Sequence, residues 1–226
     1  QRIEGGVARP EWVGQLRARD GAREVEIDAQ AHAAGEHVNP VAFFRMLEHA
    51  IGDDAVMFAD GGDFVATASY ILRPRSPLAW LDPGAFGTLG VGAGFALGAA
   101  AVRPGSEIWL LWGDGACGYG LAELDTFVRH GIPVIAVVGN DAAWTQIARE
   151  QVEILGTTLG CDLRRTDYHK VAEGYGGVGL QLTAKPAKEG APLLGVKALI
   201  ARHDFACDGN AGGLASAATQ RASRAP

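Results

Sequence analysis

Two short apolar runs, each ending in glycine and a polar residue, constrain the fold more than any other feature of the chain. The run 108–112 leads straight into Gly113-Asp114-Gly115, and the run 132–138 ends at Gly139-Asn140-Asp141. Runs this short and this apolar, separated by helical patterns, are typical of strands that are buried on both faces. The alternation of such strands with helices indicates an α/β fold, with a mostly parallel sheet and helices on both faces.

Helical patterns and turn signals fill the segments around these strands. Asn39-Pro40 is a strong helix start, because Asn is a favoured N-cap and Pro is favoured in the first turn. Apolar residues then recur at helical spacing, at Phe43, Phe44, Leu47 and Ile51. The sequence also predicts a short helix at 11–19, a strand at 55–59, helices at 64–72, at 89–102 and after Gly118, a turn-rich segment at 82–88, and weaker strands at 178–182 and 196–200.

Length and composition fit one α/β domain with tails. The chain has 226 residues, a formal net charge of −6 and no basic stripe, so a nucleic-acid partner is not expected. The three cysteines are far apart and form no CxxC pair, which argues against a disulfide framework or a zinc site and favours a reducing compartment, the cytoplasm. No apolar run reaches membrane-spanning length, and no signal-peptide pattern is present, so a membrane segment is not expected either.

The expected domain organisation has three parts. Residues 1–37 are polar and Ala-rich and are predicted to be a linker from a missing upstream domain; the chain also begins with Gln1 rather than Met, as a piece of a longer protein would. Residues 38–205 form the predicted domain, although the connection at 183–192 is Pro/Lys/Gly-rich where a helix would be expected. Residues 206–226 are small and polar without an apolar period, and are predicted to be a disordered tail.

The polar residues after the two strands predict a site for a diphosphate held through one magnesium ion. In open α/β sheets ligands lie outside the carboxyl ends of the strands, so Asp114 and Asn140 should lie close together there. Their carboxylate and amide oxygens are hard ligands of the kind that Mg²⁺ takes together with phosphate oxygens. Gly113 and Gly115 would let the backbone approach a phosphate closely, and the helix predicted after Gly118 would present its positive end to the same place.

The run GDGACGYGLAELDTFVRHGIPVIAVVGND resembles the cofactor motif of thiamine-diphosphate-dependent enzymes, a GDG followed by a pair of asparagines. The resemblance implies that Asp114 and Asn140 are the side-chain metal ligands and that the Ala142 carbonyl is a third ligand. The first asparagine of the pair is Gly139 in this chain, whereas the second, which binds the metal, is kept.

Two further segments carry the same resemblance. Residues 82–98 resemble the family's GTMG-type loop, which implies that the Gly87 carbonyl faces the aminopyrimidine and that Leu89 holds the cofactor bent, while residues 60–63 resemble the loop at the diphosphate. The resemblance covers roughly residues 38–182 and is closest to the acetolactate-synthase-like branch that includes 2-hydroxyacyl-CoA lyases. The cofactor-binding residues that it implies are Gly61, Gly62, Asp63, Gly87, Thr88, Leu89, Gly113, Asp114, Gly115, Ala116 and Asn140.

The resemblance implies a lyase that cleaves 2-hydroxyacyl-CoA to formyl-CoA and an aldehyde, with this chain as the part that binds the diphosphate and Mg²⁺. An acetolactate-synthase-type carboligase acting on 2-keto acids is the alternative, and a non-catalytic cofactor-binding fragment is another. No catalytic residue is expected on this chain, because in this family the activating glutamate comes from a pyrimidine-binding domain, here on a missing segment or a partner chain. The complete protein is expected to be a homodimer or homotetramer.

Several residues have competing interpretations. Glycines at 90, 92, 94 and 98 imitate a dinucleotide fingerprint, but such a fingerprint must follow a strand, and residues 82–88 are turn-formers. His130 is interpreted as a structural residue at a helix C-terminus, and His169 as either an acid–base or a structural group. Cys117 is interpreted as a packing residue, Asp63 as a phosphate neighbour or a helix cap, and Trp144 and Thr145 as active-site or core residues.

Overall fold

The computed structural model describes residues 9–34 and 37–182, together with the backbone of 196–200. Within these ranges the strands form one sheet in the order β2-β1-β3-β4-β6-β5, and the first four are parallel. β6 is antiparallel to both of its neighbours. The strands are β1 (Val56–Asp60), β2 (Trp80–Leu81), β3 (Ile108–Gly113), β4 (Ile135–Gly139), β5 (Val178–Leu182) and β6 (Val196–Ile200).

Helices pack on both faces of this sheet, as predicted. Side chains alternate along β3, so that Trp109 and Leu111 join a core with α2 and α3, while Leu110 and Trp112 join a core with α4 and α6 on the opposite face. The helices are α1 (Pro10–Ala31), α2 (Pro40–Ala50), α3 (Gly62–Ile71), α4 (Gly92–Val102), α5 (Asp114–Gly120), α6 (Glu123–Arg129), α7 (Thr145–Leu155) and α8 (Tyr168–Gly174). A single 3₁₀ turn, Gly84–Phe86, interrupts the turn-rich segment.

The start of α2 confirms the predicted cap. Asn39 Oδ1 accepts hydrogen bonds from the N–H groups of Val41 (2.9 Å) and Ala42 (3.2 Å), and Pro40 occupies the first turn. The amide nitrogen of Asn39 also donates to the Gln30 carbonyl at 2.6 Å. One side chain therefore begins α2 and holds the end of α1 against it.

The first helix is much longer than the segment 11–19 that the sequence predicts. It extends over Pro10–Ala31, and Ile27 near its end is only 2% exposed. Arg45 on α2 reaches back to Glu24 (2.6 Å) and Asp28 (2.9 Å), so contacts with the domain hold the second half of α1 in place. Weak apolar periodicity conceals this helix, because strong helix formers and ion pairs stabilise it more than a buried stripe does. Its role as a linker to an upstream domain stays a prediction.

Two further predictions are corrected. The single helix expected after Gly118 is two helices: α6 (Glu123–Arg129) carries the expected apolar face, and α5 begins earlier, at Asp114, and ends at Gly120, so the first turn of α5 belongs to the candidate site. The strand at 196–200 exists, but it runs against β4. The connection at 183–192 and the tail at 206–226 lie outside the described residues. In the part of the chain that is described, no helix has the length and apolar character needed to cross a bilayer.

Candidate functional site

A cleft of about 550 Å³ opens where the carboxyl ends of β1, β3 and β4 meet. The structure thus brings together the loops that the sequence predicts to share one edge of the sheet. The residues that line the cleft include Gly61, Gly62, Asp63, Asp82, Gly87, Leu89, Gly113, Asp114, Gly115, Ala116, Gly139, Asp141, Trp144 and Thr145. Three residues of the predicted site, Thr88, Asn140 and Ala142, are not part of this lining.

Asp114 is a buried carboxylate at the start of α5. Its Oδ1 accepts from its neighbour's N–H, that of Gly115, at 2.9 Å, and its Oδ2 accepts from the N–H of Ala142 at 2.8 Å. Burial, and then the negative charge of Asp141, raise the pKa of Asp114 to about 6. A carboxylate that its surroundings make unfavourable as an anion is one that a cation would stabilise strongly.

Asn140 holds an amide oxygen without a partner. The residue is 3% exposed, and its Nδ2 donates to the Thr166 carbonyl at 3.0 Å, which fixes the plane of the amide. Its Oδ1 is buried and accepts no hydrogen bond from any residue that the structure describes. An unsatisfied buried acceptor is costly unless a ligand satisfies it. Asn140 Oδ1 is therefore free to bind a cation.

Ala142 lies in the loop that follows β4, with a φ of 65° that few non-glycine residues adopt. Its carbonyl accepts from the N–H of Leu163 at 2.8 Å, which leaves the carbonyl oxygen one further lone pair. The predicted third metal ligand thus already has one partner in the structure, and its role stays a prediction. Among the described residues no three His, Cys, Asp or Glu side chains cluster as metal ligands, so a cation here would rely on Asp114 and neutral oxygens.

Two residues to which the sequence assigned no role, Arg165 and Tyr168, support the candidate ligands through their main chain. The Tyr168 hydroxyl donates to the Asp114 carbonyl at 3.1 Å, and burial raises the pKa of Tyr168 to about 12. Arg165 donates to the Asn140 carbonyl at 3.2 Å. Only proximity in the fold could reveal these contacts, because nothing in the order of residues 160–168 predicts them.

Two of the glycines make room for aromatic side chains. A Cβ atom on Gly139 would overlap the ring of Phe64, and one on Gly115 would overlap the indole of Trp144. Gly115 was predicted to let the backbone approach a phosphate, whereas the space at its Cα is taken by this indole. Trp144 therefore lies over the start of α5 and forms part of the cleft wall.

Among the described residues, the charged side chains that line the cleft are all carboxylates. Asp63, Asp82, Asp114 and Asp141 all line it, while no Lys, Arg or His does so among the described residues. Asp63 lies inside the first turn of α3, makes no capping hydrogen bond, and pairs with Arg149 of α7. The interpretation of Asp63 as a helix cap was therefore wrong.

The remaining candidate residues divide into those that line the cleft and those that do not. His130 is an exposed residue at the end of α6, and His169 lies on α8; neither lines the cleft. Cys117 is fully buried, and burial raises the pKa of its thiol far above the usual range, which suits a packing residue. Trp144 and Thr145 do line the cleft, and the Thr145 hydroxyl donates to Asp141 at 2.6 Å, which organises the start of α7.

Comparison with known proteins gives consistent matches. Residues 60–204 match the family described as thiamine pyrophosphate enzyme, C-terminal TPP binding domain. The chain is 49% identical to human 2-hydroxyacyl-CoA lyase 2, over 90% of this chain and 34% of that protein. It is 34% identical to a probable acetolactate synthase of Mycobacterium bovis, over 81% of this chain and 34% of that protein.

A solved structure agrees with the fold. The thiamine diphosphate-dependent 4-hydroxybenzoylformate decarboxylase of Rhodococcus jostii RHA1 superposes with a TM-score of 0.58 at 25% identity, over 64% of this chain and 27% of that one. The chain spans about a third of the length of the curated relatives that it matches. With its sheet, its cleft and its paired Asp114 and Asn140, the chain belongs to the thiamine pyrophosphate enzymes and corresponds to their C-terminal cofactor-binding domain.

Proposed function

We propose that this chain binds thiamine diphosphate through one Mg²⁺ ion held by Asp114 and Asn140, as part of a lyase that cleaves 2-hydroxyacyl-CoA to formyl-CoA and an aldehyde. The observation that carries the cofactor proposal is the unpartnered Asn140 Oδ1, buried at the strand end next to that of Asp114. The relatives that are about 50% identical support the lyase, because each is a 2-hydroxyacyl-CoA lyase 2.

The charges of the cleft favour a metal as an obligatory companion of the diphosphate. Four carboxylates line the cleft without a basic side chain among the described residues. The side chains that line the cleft would present mostly like charge to a diphosphate alone, at a cost that grows as water is excluded. Mg²⁺ offsets that charge and prefers one or two protein oxygens together with phosphate oxygens, which Asp114 and Asn140 can supply.

The remaining residues of the cleft would hold and shape the cofactor. When bound, thiamine diphosphate supplies the carbon that adds to a carbonyl group and then takes up the electron pair of the broken bond. Gly61 and Gly62 lie at the start of α3 and line the same cleft as the metal loop, which is the segment 139–142 after β4 that contains Asn140 and Ala142. The turn around Gly87 also lies along this cleft. Leu89 is 36% exposed and lines the cleft, which suits an apolar support for a bent cofactor.

Replacement of Asp114 tests the cofactor proposal. Asp114→Ala should abolish Mg²⁺-dependent binding of thiamine diphosphate in calorimetry, because it removes the anionic ligand. The matched control is Asp125→Ala, which removes an exposed carboxylate on α6 that pairs with Arg129 outside the cleft. Unchanged affinity in Asp114→Ala would sink the assignment.

A test of the substrate class requires the complete protein. The proposed lyase should release formyl-CoA from a 2-hydroxyacyl-CoA, with no need for pyruvate. An acetolactate-synthase-type carboligase is the second candidate, favoured by the 34% identity to a probable acetolactate synthase. Acetolactate formation from pyruvate without reaction on the thioester would reverse the ranking. Absence of both reactions would favour a non-catalytic cofactor-binding protein.

The proposal extends to partners and location. The short share of its relatives that this chain covers supports a further, pyrimidine-binding domain on another segment or chain. A homodimer or homotetramer is proposed for the complete protein, since the other half of the cofactor has to bind a second domain, which a neighbouring subunit can supply. Two of the cysteines, Cys117 and Cys161, are free and buried, which fits the proposed cytoplasmic location.

A further inference from the structure

Asp60 is a fully buried carboxylate at the end of β1 that contacts the loop 87–92, which precedes α4. Its Oδ1 accepts from the N–H of Gly90 at 3.0 Å. Its Oδ2 accepts from the N–H of Gly92 at 2.9 Å and from the indole Nε1–H of Trp112 at 3.1 Å. Three neutral donors thus hold one side chain that is 0% exposed.

The loop is shaped to fit this carboxylate. A Cβ atom on Gly92 would lie 2.9 Å from Asp60 Cβ and 3.0 Å from its Oδ2, so a side chain there would push the two apart. Gly90 has a φ of +87°, and a Cβ on it would lie 2.6 Å from Tyr119. The chain is therefore held on both sides of Val91, in a conformation that depends on glycine.

The first half of this loop buries few apolar side chains. Residues 87–92 read Gly-Thr-Leu-Gly-Val-Gly, and Thr88 is exposed while Leu89 is 36% exposed. A segment with so little buried apolar surface is weakly held by packing alone. Hydrogen bonds to a charged acceptor are stronger than those between neutral groups, so the two bonds to Asp60 restrain the loop firmly where α4 begins.

We infer that Asp60 is a positioning residue, which holds the loop 87–92 so that Gly87 and Leu89 keep a fixed place along the cleft. The inference rests on the proposed function, since Gly87 and Leu89 matter only if a cofactor lies against them. Asp60 acts through the loop, and its carboxylate is fully engaged in the bonds described. It does not line the cleft itself.

The test separates the two ends of the cofactor. Thiamine diphosphate with Mg²⁺ is expected to use Asp114, the metal loop, Gly61-Gly62 and the loop 87–92, whereas inorganic pyrophosphate with Mg²⁺ is expected to use all of these except the loop 87–92. In the complete protein, Asp60→Asn replaces one carboxylate oxygen by an amide N–H₂ group, which faces an N–H donor and cannot accept from it. The remaining oxygen is neutral, so its hydrogen bonds are weaker. Its affinity for thiamine diphosphate should fall about tenfold or more, while its affinity for pyrophosphate stays within about twofold.

Glu107→Gln is the matched control. Glu107 lies just before β3, at the opposite end of the sheet, and also accepts from a glycine N–H (Gly52, 3.1 Å) and an indole (Trp109, 2.6 Å). This variant should leave both affinities unchanged. A parallel fall of both affinities in Asp60→Asn would show a general loss of structure and overturn the inference, as would no change in either. If the unsubstituted protein binds neither ligand, the proposed function fails instead.

A measurement on the unsubstituted protein covers the case in which Asp60→Asn does not fold. Amide hydrogen exchange should be slow at Gly90 and Gly92, whose N–H groups are tied to Asp60, and fast at Thr88 in the same loop. Equal, fast exchange at all three amides would mean that the tether is absent and that the inference is wrong.

Discussion

The ring of Phe64, in the first turn of α3, occupies the place that a side chain at residue 139 would need. Gly139 ends β4, and a Cβ atom built on it would overlap that ring. The resemblance to thiamine-diphosphate-dependent enzymes breaks at this residue, where an asparagine would be expected. The glycine at residue 139 therefore goes together with the bulky ring of Phe64, which follows β1, and the two residues have to be considered as a pair.

Gly139→Asn should destabilise the fold by about 1–3 kcal/mol, the usual cost of overpacking a filled site. Combining it with Phe64→Ala should recover part of the loss, because the ring makes way for the new side chain. Urea unfolding of the single and double variants measures the coupling. Gly94→Ala is the control, since a Cβ there meets nothing within 4 Å; additive single effects would contradict the prediction.

Protons should compete with Mg²⁺ at Asp114. The pKa of this carboxyl is about 6 without metal, because of burial and the charge of Asp141. The metal binds the ionised form, so apparent affinity should be constant well above pH 6 and fall up to about tenfold per pH unit below it. Asp141→Asn removes one cause of the raised pKa and should move the fall to lower pH. Titration with Mg²⁺ and pyrophosphate at several pH values, in the parent and in Asp141→Asn, checks both, because protonation of pyrophosphate affects the two proteins equally; coincident profiles would count against them.

Glu107 should make the stability of the fold depend on pH. Burial raises its pKa above the ordinary 4.5, so the folded chain binds this proton more tightly than the unfolded chain does. The favourable contribution is complete below the unfolded pKa and is lost as pH rises through the folded pKa. Glu107→Gln should remove that dependence and gain relative stability at neutral pH. Urea unfolding at acid and neutral pH measures the slope, and identical slopes in variant and parent would refute the assignment.

The 226-residue chain by itself should show no turnover. The resemblance implies that catalysis needs a carboxylate beside the aminopyrimidine and that another domain supplies it. Phe86 is 94% exposed beside the cleft, so the isolated chain should also self-associate. NMR measurement of C2 proton exchange in added thiamine diphosphate tests the first point: enzyme-like rates would mean that an acid of this chain activates the cofactor.

Asp82 is the acid to examine if such rates are found. It lines the cleft near Gly87, and the sequence did not single it out. Its oxygens accept from the Gly84 N–H at 2.7 Å and from the Trp80 indole at 3.1 Å, which suits a structural role in the turn. Asp82→Asn should therefore leave the exchange rate unchanged; a lower rate would identify it as the activating acid.

Local signals were sufficient for the features that one segment determines alone. The cap at Asn39, the apolar runs of β1, β3 and β4, and the meeting of Asp114 and Asn140 at one edge all follow from order along the chain and the rules of parallel sheets. The sequence placed Asp60 in a loop at the diphosphate, whereas it ends β1 and binds the loop 87–92.

Contacts between distant segments could not be predicted in this way. The pairing of Phe64 with Gly139, the support of Asp114 by Tyr168, and the direction of β6 each depend on how separate segments come together. The length of α1 could not be predicted for a different reason. Exposed ion pairs with Arg45 hold its second half in place, and such pairs produce no apolar periodicity in the sequence.

The place of β6 in the sheet has a consequence for how the chain folds. β4, which ends in the metal loop, pairs on its outer side with a strand from residues 196–200, far later in the chain. Until that strand docks, the outer edge of β4 presents unpaired N–H and C=O groups, which invite pairing with other chains. Docking closes a long loop, and contacts of that kind form slowly. A nascent chain stopped before residue 196 would therefore already contain both the metal loop and the loop 87–92. It would be most prone to aggregate along β4, the strand that leads into the metal loop.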